Sequence, residues 1–123
     1  MPAKKKIDFD VVRRMGLALP GVVESTMYGS PALKVGGKLL AVIPTNRSAE
    51  PESVAVSIGF DRREDLLETA ADVYYLRDHY VNYPVVLVRM SRIGADALRD
   101  LLGMGWRFVT AERRGGKRTR ARK

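Results

Sequence analysis

Residues 32–43 read ALKVGGKLLAVI, and this stretch decides the fold. Two mostly aliphatic runs stand on either side of Gly36 and Gly37. A pair of glycines readily takes positive φ at both central positions of a two-residue turn, and that geometry matches the twist of paired strands. The stretch therefore predicts a β-hairpin with Lys34 and Lys38 flanking its tip.

More strands and three helices are predicted outward from this hairpin. Residues 53–58 alternate strictly, which puts the aliphatic side chains on one face of a strand and the small side chains on the other. Asp61 and Glu64 fit a capping box at the start of a helix. The predicted strands cover residues 25–28, 32–35, 38–43, 53–58, 73–76 and 85–90, and the predicted helices run from Asp8 or Asp10 to Leu19, onward from Asp61, and from Ile93 to about Ala111.

The strands cluster along the chain instead of alternating with helices. This order is typical of an α+β fold with a largely antiparallel sheet. A chain of 123 residues suits one domain, which we assign to residues 7–112. Residues 1–6 form a basic N-terminal tail. Residues 113–123 form a second basic tail, which we expect to be disordered because it has too little apolar surface to bury.

The positive charge is concentrated at the two ends of the chain. The net charge of +8 comes from 22 basic and 14 acidic residues. All the acidic residues lie between Asp8 and Glu112, where 12 basic residues give a balance of 12 − 14 = −2. The C-terminal cations are Arg113, Arg114, Lys117, Arg118, Arg120, Arg122 and Lys123. Such a tail can bind DNA or RNA by releasing counterions, although a solubilising tail without a dedicated partner would have the same composition.

The composition excludes several kinds of active site. With no cysteine and one histidine, the chain can form no disulfide, cysteine nucleophile or multi-histidine metal site. It contains no nucleophile elbow and no phosphate loop. Its longest aliphatic run, residues 39–43, is too short to cross a bilayer. We therefore expect a non-enzymatic, cytoplasmic protein without a cofactor, a metal or a membrane partner.

The segment from residue 77 to residue 83 has an unusual density of binding side chains. Arg77, His79, Tyr80 and Tyr83 fall within seven residues. Guanidinium groups grip anions and tyrosine rings stack, so this set suits a phosphate, an unstacked base or a small anion. Structural roles explain it as well, because tyrosines beside a buried strand often pack against the sheet and a lone histidine is often structural.

Three basic residues near the hairpin are candidate phosphate contacts. Lys34 and Lys38 flank the predicted tip, and Arg47 lies in the next loop. Lysines at a projecting tip can follow a phosphate backbone. They also protect exposed strand edges from pairing with other chains, which is the alternative explanation.

Several short motifs follow one another in the order seen in the MmcQ/YjbR-like family. They are Leu19-Pro20-Gly21-Val22, Tyr28-Gly29-Ser30-Pro31-Ala32, Val35-Gly36-Gly37-Lys38-Leu39, Asp78-His79-Tyr80-x-x-Tyr83-Pro84, and Ala97-Leu98-Arg99-x-Leu101-Leu102 followed by Trp106-Arg107. The chain resembles this family from about Phe9 to Ala111. The resemblance implies a CyaY-like fold, in which helices pack on a twisted antiparallel sheet, and the double-wing DNA-binding arrangement by which the family is described.

In that resemblance the two hairpin lysines flank a wing tip. His79, Tyr80 and Tyr83 belong to the most recognisable loop of the family. Many members carry tryptophan after the proline of this loop, where this chain has Val85. The chain therefore lacks a ring that could stack on a base or anchor the loop.

Two functions remain open from the sequence. The first is a non-enzymatic DNA-binding protein, whose tails and wing hairpin contact phosphates of DNA or RNA with little sequence preference. The second is a small-ligand-binding or protein-binding domain with a pocket around Arg77, His79, Tyr80 and Tyr83. The net negative charge of the central region weighs against the first function. The oligomeric state is not indicated.

Overall fold

One antiparallel sheet of six strands forms the centre of the fold. The structure, a computed structural model, describes the backbone of residues 7–119 and the side chains of residues 7–111. The strands are β1 (Val22–Met27), β2 (Ser30–Val35), β3 (Lys38–Val42), β4 (Ser53–Ser57), β5 (Tyr74–Tyr75) and β6 (Val85–Arg89), and the helices are α1 (Phe9–Leu17), α2 (Phe60–Thr69) and α3 (Ala95–Thr119), with a 3-10 turn at Asp78–Tyr80. The strands lie in the order β1-β2-β3-β4-β6-β5.

The two faces of the sheet differ in what covers them. Helices α1 and α3 pack on one face, and the main hydrophobic core lies between them and the sheet. A smaller cluster occupies the opposite face and consists of Ala32, Val42, Ala55, Leu87 and Tyr75. Loops, rather than helices, border this second face, because Ala49 and Tyr80 pack against its cluster. The second face is called the groove face below.

Helix α3 approaches the sheet most closely at Gly105. A Cβ atom on this residue would lie 2.6 Å from the carbonyl oxygen of Ser57 and 3.2 Å from a methyl carbon of Leu40. Only a residue without a side chain allows this approach. Glycine in a helix interior costs about 1 kcal/mol relative to alanine, and at Gly105 the helix–sheet contact nevertheless requires it.

The predicted hairpin is confirmed. Gly36 and Gly37 both have positive φ, at 60° and 81°, and join β2 to β3. The strand pairing contains a bulge, since Leu33 pairs with Ala41 whereas Lys34 pairs with Leu39. Leu40 is the extra residue, and it points into the main core together with Ala41.

The predicted α+β fold with a mainly antiparallel sheet is confirmed, while several boundaries differ. Strand β1 begins at Val22 and not near residue 25, and the following turn lies at Tyr28 and Gly29. The predicted capping box is wrong, because α2 begins at Phe60 and its N-cap, Gly59, provides no side-chain hydrogen bond.

The last helix is longer than the sequence predicts. Helix α3 continues to Thr119, beyond the end predicted near Ala111. Residues 1–6 and 120–123 lie outside the described residues. In the part of the chain that the structure describes, no helix is both long and apolar enough to cross a membrane.

Candidate ligand groove

The groove face of the sheet carries a cavity of about 520 Å³ with an apolar floor. The apolar residues of this floor are Met27, Leu39, Val42, Ala55 and Val85. Alternation along β4 explains the depth, because Val54 and Val56 face the helices and leave the small residue Ala55 on this side. A volume of this size is typical of sites for small molecules. We call this cavity the groove.

Aromatic side chains form much of the rim of the groove. Tyr28, His79, Tyr80 and Tyr83 line it together with polar residues of the loop after β3. The ring of His79 meets the ring of Tyr80 edge to face, with centroids 4.7 Å apart, and lies 6.4 Å from the ring of Tyr83. The structure brings these three residues of the 77–83 segment together and adds Tyr28 to them.

Tyr28 is held at the rim by an unusual backbone conformation. It has a φ of 53°, followed by 79° at Gly29, so the two residues form the tight turn between β1 and β2. Positive φ is uncommon for a tyrosine and costs on the order of 1–3 kcal/mol. The side chain is 89% exposed, so packing within the domain does not explain it. The turn presents an aromatic ring to solvent beside the groove.

Tyr80 connects the rim to the sheet. Its ring packs against the apolar cluster of the groove face. Burial raises the pKa of the Tyr80 hydroxyl, and a hydrogen bond to the backbone of Asn46 partly offsets this effect. The hydroxyl therefore stays protonated at neutral pH and offers a neutral polar group.

Arg63 of α2 anchors the segment that supplies the rim. Its guanidinium donates to the carbonyl oxygens of Tyr83 at 2.8 Å, Val81 at 3.1 Å and Val85 at 3.3 Å. The residue is only 5% exposed, and its guanidinium lies 4.8 Å from the ring of Phe60. Arg63 therefore does not belong to an exposed basic surface. It holds the chain between Val81 and Val85 in place.

Arg77 lies outside the groove lining, contrary to the expected pocket. Its guanidinium donates to Glu50 at 3.0 Å and lies over the ring of Tyr75 at 4.6 Å. Arg89 donates twice to the same carboxylate, both at 2.8 Å, and lies 4.4 Å from that ring. Hydrogen bonds from Arg89, reinforced by the charge of Arg77, lower the pKa of Glu50.

This cluster fixes the loop between β3 and β4 on the sheet. The Tyr75 hydroxyl accepts a hydrogen bond from the backbone nitrogen of Glu50 at 2.8 Å and shares another with Ser53 at 2.5 Å. The same loop supplies Thr45 and Asn46 to the rim. Sequence reasoning missed Glu50 as the partner of Arg77 and Arg89, because these residues are 27 and 39 positions away from it along the chain.

Comparison with known proteins identifies the family. The model of the YjbR family matches residues 17–108 of the sequence. This chain belongs to the YjbR family. It is similar to the crystal structure of Deinococcus radiodurans protein DR2400, described as a DUF419 domain, with a TM-score of 0.68, 20% sequence identity and coverage of 85% of this chain and 80% of that chain. A search of curated proteins found no significant match.

The hairpin of this YjbR-family protein presents its two lysines to opposite faces of the sheet. Lys38 pairs with Val35, which faces the helices, and Lys34 pairs with Leu39, which lines the groove. Paired residues share a face. The two lysines therefore do not form one continuous row of phosphate contacts, and Lys34 is the one beside the groove.

The other expected contacts of this YjbR-family protein have different positions. Arg47 is exposed in the loop after β3, next to the rim residue Asn46. The predicted tail contacts, Arg113, Arg114, Lys117, Arg118, Arg120 and Arg122, lie outside the described side chains. Among the described residues, no group of three or more His, Asp and Glu side chains could hold a metal ion.

Proposed function

We propose that this protein is a non-enzymatic binding domain whose groove holds a flat, uncharged ring system. The observation that supports this function is the combination of an apolar floor with an aromatic rim, in a cavity of about 520 Å³. No lining residue is an Asp, Glu, Lys or Arg. A charged group placed against this floor would lose hydration without gaining a counter-charge, whereas a neutral ring would bury apolar surface.

The rim has the groups needed to orient such a ring. The exposed faces of Tyr28 and Tyr83 can stack on it, and they are 89% and 56% exposed. Thr45 and Asn46 line the same cavity and can donate and accept hydrogen bonds. A mostly apolar pocket with a few polar groups is the usual form of a small-molecule site.

The surroundings of His79 support a binding function over an enzymatic one. Within the described residues, its contacts are with the rings of Tyr80 and Tyr83. No carboxylate there forms the hydrogen bond to imidazole that a catalytic dyad requires. His79 fits the role of an aromatic and polar wall of the groove.

Filling the groove tests this proposal. Val85→Trp puts a large ring on the floor, while Ala97→Trp puts the same ring at an exposed position on α3. We expect neutral bicyclic compounds such as indole and quinoline to raise the melting temperature of the wild type and of Ala97→Trp, but not of Val85→Trp. A ligand at ten times its Kd adds about 1.4 kcal/mol to the free energy of unfolding.

Tyr28→Asn provides a second variant that does not depend on core packing. Asparagine tolerates positive φ, so the turn is kept while the exposed ring is removed. We expect this variant to fold as the wild type does and to bind the same compounds more weakly. Equal stabilisation of all four proteins, or of none at millimolar ligand, would refute the groove as a binding site.

The charge distribution favours a second candidate function, which is non-specific binding of DNA or RNA by the ends of the chain. Ten cations lie outside residues 8–112, which themselves carry a balance of −2. In a salt series with duplex DNA, each lost phosphate contact should reduce the slope of log K against log salt by about 0.9. Replacing the seven C-terminal cations by glutamine in the full chain should therefore flatten that slope, and an unchanged slope would contradict this function.

A further inference from the structure

The groove lies between two cations that belong to neither its floor nor its rim. At one end, Lys34 pairs across the hairpin with the lining residue Leu39. At the other end, Arg47 directly follows the lining residue Asn46. Within the described part of the chain, no ion pair or hydrogen bond holds Lys34 or Arg47.

The charged strand residues of the groove face are both cations. Lys34 lies on this face because it pairs with Leu39. Arg89 lies on it because it is two residues after Leu87 on β6. Glu24 of β1 pairs with Leu33 on the opposite face and forms an ion pair with Arg13 of α1 at 3.5 Å. Arg89 is paired with Glu50, so Lys34 is the strand residue of this face, among the described residues, whose positive charge no ion pair neutralises.

The length of the floor indicates what kind of ligand could reach both cations. Leu39 and Val42 of the floor pair with Lys34 and Ala32, which are two residues apart on β2, so they are separated by about 7 Å along the sheet. A ligand that lies along this floor has the Lys34 side at one end and the Arg47 side at the other. Two anionic groups separated by a flat neutral ring match this arrangement of charge.

We infer that the ring held in the groove is a base of a single-stranded nucleic acid, whose flanking phosphates contact Lys34 and Arg47. This inference rests on the proposed function, because it names the molecule that supplies the ring. Single-strand binding sites combine a cationic path for the backbone with aromatic side chains for the bases. In a duplex the bases are stacked and paired, so the faces that Tyr28 and Tyr83 would contact are not accessible.

The seven C-terminal cations of the sequence would add a separate attraction for phosphates. Such attraction acts whether or not bases are present. The groove then adds a preference for strands with unpaired bases over a backbone of equal charge. Base stacking and phosphate attraction can be measured separately. Substitutions in the groove affect base stacking, and substitution of Lys34 affects phosphate attraction.

The test uses the full chain and three fluorescent probes of equal length: an eight-nucleotide oligothymidylate, an abasic octamer with the same phosphates, and a blunt duplex. We expect the oligothymidylate to bind at least about tenfold more tightly than the abasic octamer. Tyr28→Asn and Val85→Trp should remove this difference and leave binding of the abasic octamer unchanged. Ala97→Trp should retain it.

The two lysines of the hairpin form a matched pair. Lys34→Ala should weaken binding of both octamers by a similar factor and reduce the salt slope by about 0.7, the value for one contact with a single strand. Lys38→Ala, which lies on the opposite face, should leave both affinities unchanged in these assays.

The outcomes separate this inference from the proposed function. Equal affinity for the oligothymidylate and the abasic octamer, or tighter binding of the duplex, would overturn the inference. If indole still stabilises the wild type and not Val85→Trp, the groove binds rings of another class of molecule. If neither indole nor the oligothymidylate depends on Val85, the proposed function fails as well.

Discussion

The contact between α3 and the sheet predicts opposite effects of the same substitution at two glycines two residues apart. At Gly105 an added Cβ would lie 2.6 Å from the carbonyl oxygen of Ser57, which belongs to the backbone and cannot rotate away. At Gly103 the nearest heavy atom is a terminal nitrogen of Arg107 at 3.6 Å, an ordinary contact with a flexible side chain. An alanine side chain therefore clashes with the backbone at position 105 and fits without a clash at position 103.

The magnitude follows from two terms. Gly→Ala in a helix interior gains about 1 kcal/mol at either position, because it reduces the freedom of the unfolded chain. Overpacking at Gly105 costs about 1–3 kcal/mol. The helix term is common to both variants, so Gly103→Ala should exceed Gly105→Ala in the free energy of unfolding by about 1–3 kcal/mol. For a chain of this length, that difference is roughly 4–12 °C in melting temperature.

Urea unfolding followed by circular dichroism measures this difference. The wild type should lie between the two variants, or close to Gly105→Ala if the overpacking term is small. Equal stability of the two variants would show that α3 is not seated on Ser57 as the structure places it. An unchanged m-value would confirm that the comparison concerns the native state.

Two further predictions concern the residues that hold the loops of the groove. Arg63→Met should lower the free energy of unfolding by about 3 kcal/mol, because buried carbonyl oxygens lose their donors. In the same urea assay, Arg62→Met at an exposed neighbouring position should change the free energy of unfolding by less than about 0.5 kcal/mol. Because Arg89 and Arg77 lower the pKa of Glu50 in the folded state, its stabilising contribution is present above the unfolded value of 4.5 and is lost as the pH falls through the folded value. The stability advantage of the wild type over Glu50→Gln, measured by urea unfolding at pH 7 and pH 3, should therefore shrink at pH 3, and an advantage independent of pH would contradict this role.

Local patterns in the sequence were sufficient for the fold. The paired glycines at residues 36 and 37 and the alternation in residues 53–58 each depend on the conformation of a few neighbouring residues, and both predictions are confirmed. The capping box failed because Asp61 already lies inside the helix that begins at Phe60. Gly59 occupies the cap position, and glycine also suits that position.

The groove was only partly predictable, since its members come from separate parts of the chain. His79, Tyr80 and Tyr83 were recognised from their density in one short segment, and the structure brings them together. Tyr28 was missed as a rim residue because its role depends on a turn about 50 positions away from that segment. Arg77 was expected in the pocket for the same reason. Its guanidinium instead pairs with Glu50, which is remote from it in sequence.

The bulge in β3 makes the groove insensitive to the loss of one residue from this strand. With Leu40 as the extra residue, Ala41 turns toward the helices and Val42 toward the groove. Without Leu40, plain alternation from Lys38 and Leu39 would give Ala41 and Val42 the same orientations, so the floor would keep its side chains while the main core lost a leucine. Deletion of that single codon would thus lower the stability of the domain, while the hairpin tip, its two lysines and the residues that line the groove kept their places.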